Sequence, residues 1–179
     1  NDDVIYCECT QCSKLNKDHG GPQGSLYTFL NKIAKQFPKK QLCTLAYLHT
    51  YNPPINLKIA SNITTLFCPI EMDRGNPISL KNNNKPVANT LARWQSASKN
   101  LFVWDYTVQF ANYISPFPNL SYFEENYTTF KANNVKGLFV QGYADVPGDF
   151  SELRQYLLAK LLWDASIDVK ATTADFLRG

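Results

Sequence analysis

Two kinds of residue in this chain are spaced so that they could do chemistry. The first is the run Cys7-x-Cys9-x-x-Cys12, whose thiolates are close enough in sequence to share a metal ion or to form a local disulfide. Structural zinc takes four ligands and only three are local, so Cys43, Cys68 or His49 would have to arrive through the fold. Three states are open on spacing alone: a metal on Cys7, Cys9 and Cys12, a Cys9–Cys12 or Cys7–Cys12 disulfide, or unligated thiols. A thioredoxin-like role fits less well, because the motif precedes Ser13–Gly24, which reads as a polar, Gly-containing loop rather than a helix opened after a strand. No cofactor is expected, with structural zinc at the cysteine cluster as the alternative. Five cysteines, an odd number, exclude a fully paired disulfide framework within the segment.

The second kind is the set of acidic and aromatic residues at the ends of apolar runs. Four runs read as strands: Gln41–Tyr47, Ile63–Ile70, Leu101–Tyr106 and Val135–Gln141. In parallel architectures ligands meet the carboxyl ends of strands. That rule selects Tyr47, His49 and Tyr51 after the first, Glu71 and Asp73 after the second, Trp104, Asp105 and Tyr106 on the third, and Gln141 and Tyr143 on the fourth. Asn1, Asp2 and Asp3 join the mouth if Val4–Cys7 trails a preceding strand. Carboxylates for acid–base or nucleophilic work and rings for stacking on pyranose faces are how sugar-processing sites are furnished. Asp2, Asp3, Glu71 and Asp105 are therefore the candidate catalytic carboxylates. Asn1, Tyr47, His49, Tyr51, Trp104, Tyr106, Gln141 and Tyr143 are the candidate substrate contacts. Each has a plainer reading: an Asp after a strand is often a loop or helix cap, a lone His is more often structural, and Asp2-Asp3 could be a solvated turn.

The elements that must position these groups alternate between strand and helix. The strand runs are nearly continuous in apolar residues, as when both faces are buried. Leu26, Phe29, Leu30, Ile33, Ala34 and Phe37 line one helical face that Pro38 ends. Val87, Leu91 and Trp94 predict a second helix, and Leu120, Phe123, Tyr127 and Phe130 a third. A last long helix is expected over Ser151–Trp163, with Leu153, Tyr156, Leu157 and Leu161 inward and Asp149-x-x-Glu152 as a capping box. The link from Tyr47 to Ile63, with Asn52-Pro53-Pro54, reads as an extended loop. About four βα units make an α/β fold equal to the C-terminal half of a TIM-type (β/α)8 barrel, in a single domain over 1–179 that is a piece of a longer chain. A doubly wound sheet fits the same alternation, but no G-x-G-x-x-G turn follows any strand. Half a barrel leaves open strand edges, so the missing half or a second copy is expected to cover them.

Composition narrows the function classes. The 179 residues are 44% hydrophobic and 13% aromatic, which suits a globular core and not a disordered segment. The net charge is +3 and no Lys/Arg run exceeds Lys39-Lys40, so a nucleic-acid footprint is lacking. No apolar run reaches the roughly 18 residues of a membrane span. The sequons at Asn62, Asn119 and Asn126 carry no weight, since 17 Asn in a chain of this composition give about two by chance.

Taken together, NDD…YCECTQC, TLAYLHTYNPP, NITTLFCPIE, LFVWDYTVQF, ISPFPNL, VKGLFVQGY and FSELRQYLLAKLLWD resemble a bacterial domain-of-unknown-function family found after an α-glucuronidase-like region in large secreted glycan-processing proteins. The resemblance covers nearly the whole chain. It implies a glycoside-hydrolase-like barrel acting on polysaccharide or glycan, or a non-catalytic carbohydrate-binding or scaffolding barrel, in a periplasmic or extracellular setting. A more distant similarity is to barrel hexosaminidases with neighbouring acidic residues after the fourth strand and a Trp-Asp segment on a later one. Carried across, it would make Asp2 the residue that steadies the substrate acetamido group and Asp3 the general acid. The Asn that usually follows the Trp-Asp pair is Tyr106 here.

Overall fold

The computed structural model describes residues 2–142 and 147–179. Four strands, β1 (Leu42–Ala46), β2 (Ile63–Phe67), β3 (Asn100–Tyr106) and β4 (Gly137–Gln141), form one sheet in the order β1-β2-β3-β4. Every neighbouring pair is parallel, with Ala46, Phe67, Val103 and Leu138 in one row across the sheet. Around them run α1 (Thr10–Asp18), α2 (Gln23–Gln36), α3 (Lys85–Ala97), α4 (Phe123–Ala132), α5 (Ser151–Trp163) and α6 (Val169–Arg178). Strands added strictly in chain order, with α3 and α4 as crossovers, give the topology of half a βα barrel.

The core decides between that and a doubly wound sheet. Ala46, Ile63, Phe67, Leu101 and Val103, all of one face, pack in a single cluster with Tyr27, Leu91, Trp94, Tyr127, Phe130 and Leu157 from α2, α3, α4 and α5. The core helices thus share one face, whereas a doubly wound sheet distributes helices to both. Two buried polar contacts fix the packing: Tyr27 Oη lies 2.9 Å from Thr65 Oγ1, and Trp94 Nε1 donates to the Tyr51 carbonyl at 2.8 Å.

The β1–β2 connection holds one short 3-10 turn, Leu48–Thr50, and is otherwise the irregular link its prolines predict. Three expectations are corrected. Much of Ser13–Gly24 is helical rather than loop: α1 begins directly at the cysteine cluster and is a short, strongly polar helix with no fully buried residue. The Asp149–Glu152 capping box does not form; Phe150 occupies the N-cap in a left-handed conformation, and Asp149 Oδ2 instead accepts from the Phe117 N–H at 3.0 Å and faces Arg154 at 3.6 Å. Val4–Cys7 is irregular and joins no strand of the sheet.

The three sequon asparagines are structural ties. Asn62 Nδ2 donates to the carbonyls of Ala34, Phe37 and Lys40, Asn119 Nδ2 to that of Thr107, and Asn126 Oδ1 accepts from the Ile78 N–H. Both Asn119 and Asn126 are buried.

Candidate functional site

Side-chain alternation sends Leu45, Leu66, Phe102, Trp104, Tyr106, Phe139 and Gln141 to the face away from the core helices. Gly137 stands in the same row as Phe102, and a Cβ there would collide with the Phe102 ring, so glycine allows that ring to lie across the sheet. At the carboxyl ends of the strands this face opens into a cleft of about 400 Å³, lined by Asp2, Leu45, Tyr47, Ile70, Trp104, Tyr106, Phe110 and Gln141.

The aromatic wall is pre-set. Trp104 and Tyr106 stack with ring centres 6.1 Å apart and 23° between planes, Phe139 meets Trp104 edge-on at 4.4 Å, and Phe110 closes on Tyr106 at 6.0 Å. Trp104 Nε1 donates to Gln141 Oε1 at 2.8 Å, which fixes the indole and the amide against each other. Across the mouth, Tyr47 Oη donates to Asp2 Oδ1 at 3.3 Å, bringing the chain's first described residue to the sheet. Partial burial, and then the Asp2 charge, raise the pKa of the Tyr47 hydroxyl.

Arg74 holds this rim together. Its guanidinium donates to the carbonyls of Tyr106, Ile70, Met72 and Pro69 and lies 5.3 Å from the centre of the Tyr106 ring. Sequence reasoning missed Arg74, Ile70 and Phe110. Phe110 follows Tyr106 by four residues in an aromatic run, and Arg74 follows Glu71 and Asp73, which is the signal that could have found them. Asp73, at the same turn, accepts from the Asn76 and Asn83 side chains and the Gly75 N–H, and those bonds, Asn76 first, hold its carboxyl below the usual range. It is a loop organiser.

The candidate carboxylates separate. Asp2 lines the cleft. Asp105 does not: alternation turns it to the helix-covered face with Leu101 and Val103, and it is 5% exposed. Burial pushes its carboxyl up to about 6, against the pull of Arg74 and the Tyr106 N–H. Tyr127 on α4 is raised well above its ordinary value by burial and then by the Asp105 charge, and its hydroxyl has no hydrogen-bond partner among the described residues. Glu71 is exposed and outside the cleft lining, and Asp3 is exposed beside Asp2. Of the candidate contacts, Tyr47, Trp104, Tyr106 and Gln141 meet in the cleft. Tyr51 turns into the core against Phe67 at 5.0 Å. His49 stacks on Tyr6 at 5.6 Å, its Nδ1 buried without a partner among the described residues. Asn1 and Tyr143 lie outside the described residues.

The profile of a domain of unknown function, DUF4838, matches residues 1–179. The chain belongs to that family. Among the curated proteins and the solved structures, none matches it. In this member of the family the described residues form an aromatic cleft lined by one of the candidate carboxylates, Asp2. A cluster of three cysteines stands outside the cleft lining. The Sγ atoms of Cys7, Cys9 and Cys12 fall within 4.8 Å of one another where the irregular N-terminal segment enters α1. Cys43, Cys68 and His49 are not members of that group. Among the described residues no helix is long and apolar enough to cross a membrane.

Proposed function

We propose that this domain is the C-terminal half of a βα barrel whose mouth recognises carbohydrate, the other half being supplied by further βα units of the same polypeptide. The observation that carries the reading is the half-buried Trp104 ring at the carboxyl ends of the strands, backed by the buried Tyr106 and locked by the Trp104–Gln141 hydrogen bond beside Asp2. Rings in a fixed orientation next to an amide and a carboxylate suit a pyranose, which offers an apolar face and equatorial hydroxyls. Below the mouth, exposed Leu45 and Phe139 are the inward positions that the other half of a barrel would fill. A periplasmic or extracellular setting belongs to this reading.

Binding is placed ahead of hydrolysis because a two-carboxylate glycosidase needs its acid and its base or nucleophile across one cleft, roughly 5 to 9.5 Å apart. Of the candidates here, Asp2 alone lines it. Hydrolysis remains the second reading, favoured by the Tyr47–Asp2 hydrogen bond, which aims a carboxylate at the mouth; the second carboxylate would then come from outside the lining described here.

The test uses the full-length parent protein. Titration with a panel of oligosaccharides, followed by calorimetry and tryptophan fluorescence, should give saturable binding that Trp104→Ala weakens at least tenfold with the fold intact. Absence of binding to every glycan tried would end the proposal. Turnover of aryl glycosides, N-acetylhexosaminides and glucuronides included, that is lost in Asp2→Asn would promote the hydrolase reading.

A further inference from the structure

The cysteine cluster is not used by the cleft, and its three Sγ atoms lie close enough together to share one metal ion. With Zn–S bonds of about 2.3 Å in a tetrahedral arrangement, neighbouring sulfurs stand about 3.8 Å apart. Cys7, Cys9 and Cys12 already hold their three Sγ atoms within 4.8 Å of each other, so rotamer adjustments of under about an ångström would bring them to that spacing. The backbone between them is fixed as well: the Ser13 N–H donates to the Cys9 carbonyl at 2.8 Å as the first turn of α1, and Ser13 Oγ donates to the Glu8 carbonyl at 3.0 Å. We propose that Cys7, Cys9 and Cys12 bind one Zn²⁺ through three thiolates, with a water molecule in the fourth position, and that the ion staples the N-terminal segment to α1.

The staple has something to hold. Residues 2–9 form no helix and no strand and reach the rest of the fold through Tyr6 on His49 and Asp2 on Tyr47, while α1 is tied to α2 where Asn16 Oδ1 accepts from the Ser25 N–H. Yet Asp2, five residues before Cys7, must reach Tyr47. Tying Cys7 and Cys9 to Cys12 shortens the free tether between the cleft and a regular element. Zinc requires its cysteines as thiolates, so loading releases the thiol protons and tightens as pH rises.

Protein purified under reducing conditions without chelator is expected to carry equimolar zinc, lost on dialysis against a strong chelator and restored by ZnSO₄. Cobalt(II) added to the stripped protein should give a thiolate-to-metal charge-transfer band and tetrahedral visible bands that saturate at one equivalent. Cys9→Ser and Cys12→Ser should abolish the band while far-ultraviolet circular dichroism is retained, and Cys43→Ser, an exposed cysteine outside the cluster, should leave it unchanged. Alkylation with iodoacetamide should be slowed at Cys7, Cys9 and Cys12 by zinc and not at Cys43. Failure of the reduced wild-type protein to bind either metal overturns the site, as does a cobalt spectrum indifferent to Cys9→Ser and Cys12→Ser.

Discussion

The two faces of the sheet are built from the same four strands and present nearly opposite surfaces. On one, Ala46, Ile63, Phe67, Leu101 and Val103 are almost wholly sealed under α2 to α5, together with one carboxyl group, Asp105. On the other, Phe102 and Trp104 are half-buried, and Leu45 and Phe139 are exposed. An apolar face of this kind in a parallel sheet is ordinarily covered, and here the described residues bury Tyr106, under Phe110 and Arg74, but leave Leu45 and Phe139 open. The contrast separates what stabilises the domain from what the proposed ligand and barrel half would use. Truncations should therefore cost unequally. Phe67→Ala, which empties a site with no solvent exposure, is expected to destabilise the domain by about 3 to 5 kcal/mol. Phe139→Ala, at half exposure, should cost under about 1 kcal/mol. Urea denaturation of both variants checks the pair; equal losses would mean that the open face is sealed in solution.

Asp105 breaks the pattern of its own face, and the sign of its effect can be worked out. Its folded-state pKa of about 6 lies above the ordinary 3.8, so the folded protein favours the protonated form. The contribution to stability is fully present below about pH 4, declines as pH rises to about 6, and stays lost above that. Two pKa units correspond to about 3 kcal/mol as an upper figure. Asp105→Asn should therefore be more stable than the wild type at pH 7.5, and its advantage should shrink as pH falls from 6 toward 4, read by thermal unfolding across that range. A variant less stable than wild type at pH 7.5 would mean that attraction between Asp105 and Arg74 outweighs burial.

This residue also marks the limit of what the sequence could reveal. All four strands were readable as short, nearly continuous apolar runs, the helices over Gln23–Gln36, Lys85–Ala97 and Phe123–Ala132 by apolar residues at helical period, and Ser151–Trp163 by the spacing of Leu153, Leu157 and Leu161. The same continuity that identifies a parallel strand hides which face each side chain takes. Trp104, Asp105 and Tyr106 read as one cluster, while the pleat sends the two rings to the cleft and the carboxyl behind them. The split itself follows from the pleat of one strand; which of the two faces is covered is decided by where the helices pack, and no single run contains that. Helices α1 and α6 were missed for another reason: at 9 and 10 residues they are short, and α1 is strongly polar, so few large apolar positions mark a face. The cap of α5 was misread because a buried Arg154 draws Asp149 away, a partnership 5 residues apart that competes with the local motif.

The smallest expected effect tests whether the mouth behaves as a packed core or as a solvated site. Trp104→Phe keeps a ring against Tyr106 and Phe139 and removes the N–H that Gln141 accepts. Because both residues are only half-buried, the freed amide can turn to water, and the loss should be about 0.5 to 1 kcal/mol rather than the larger penalty of a stranded buried acceptor. Gln141→Ala should cost about the same, and the double variant little more than either, since each single change already removes the one shared bond. Glycan affinity should fall further than stability does, because an amide released from Trp104 loses the orientation that a sugar hydroxyl would meet. Urea denaturation and glycan titration on the same four proteins separate these effects. A stability loss above about 2 kcal/mol in Trp104→Phe would place the pair with the sealed face and remove the reason for reading this cleft as a preformed site.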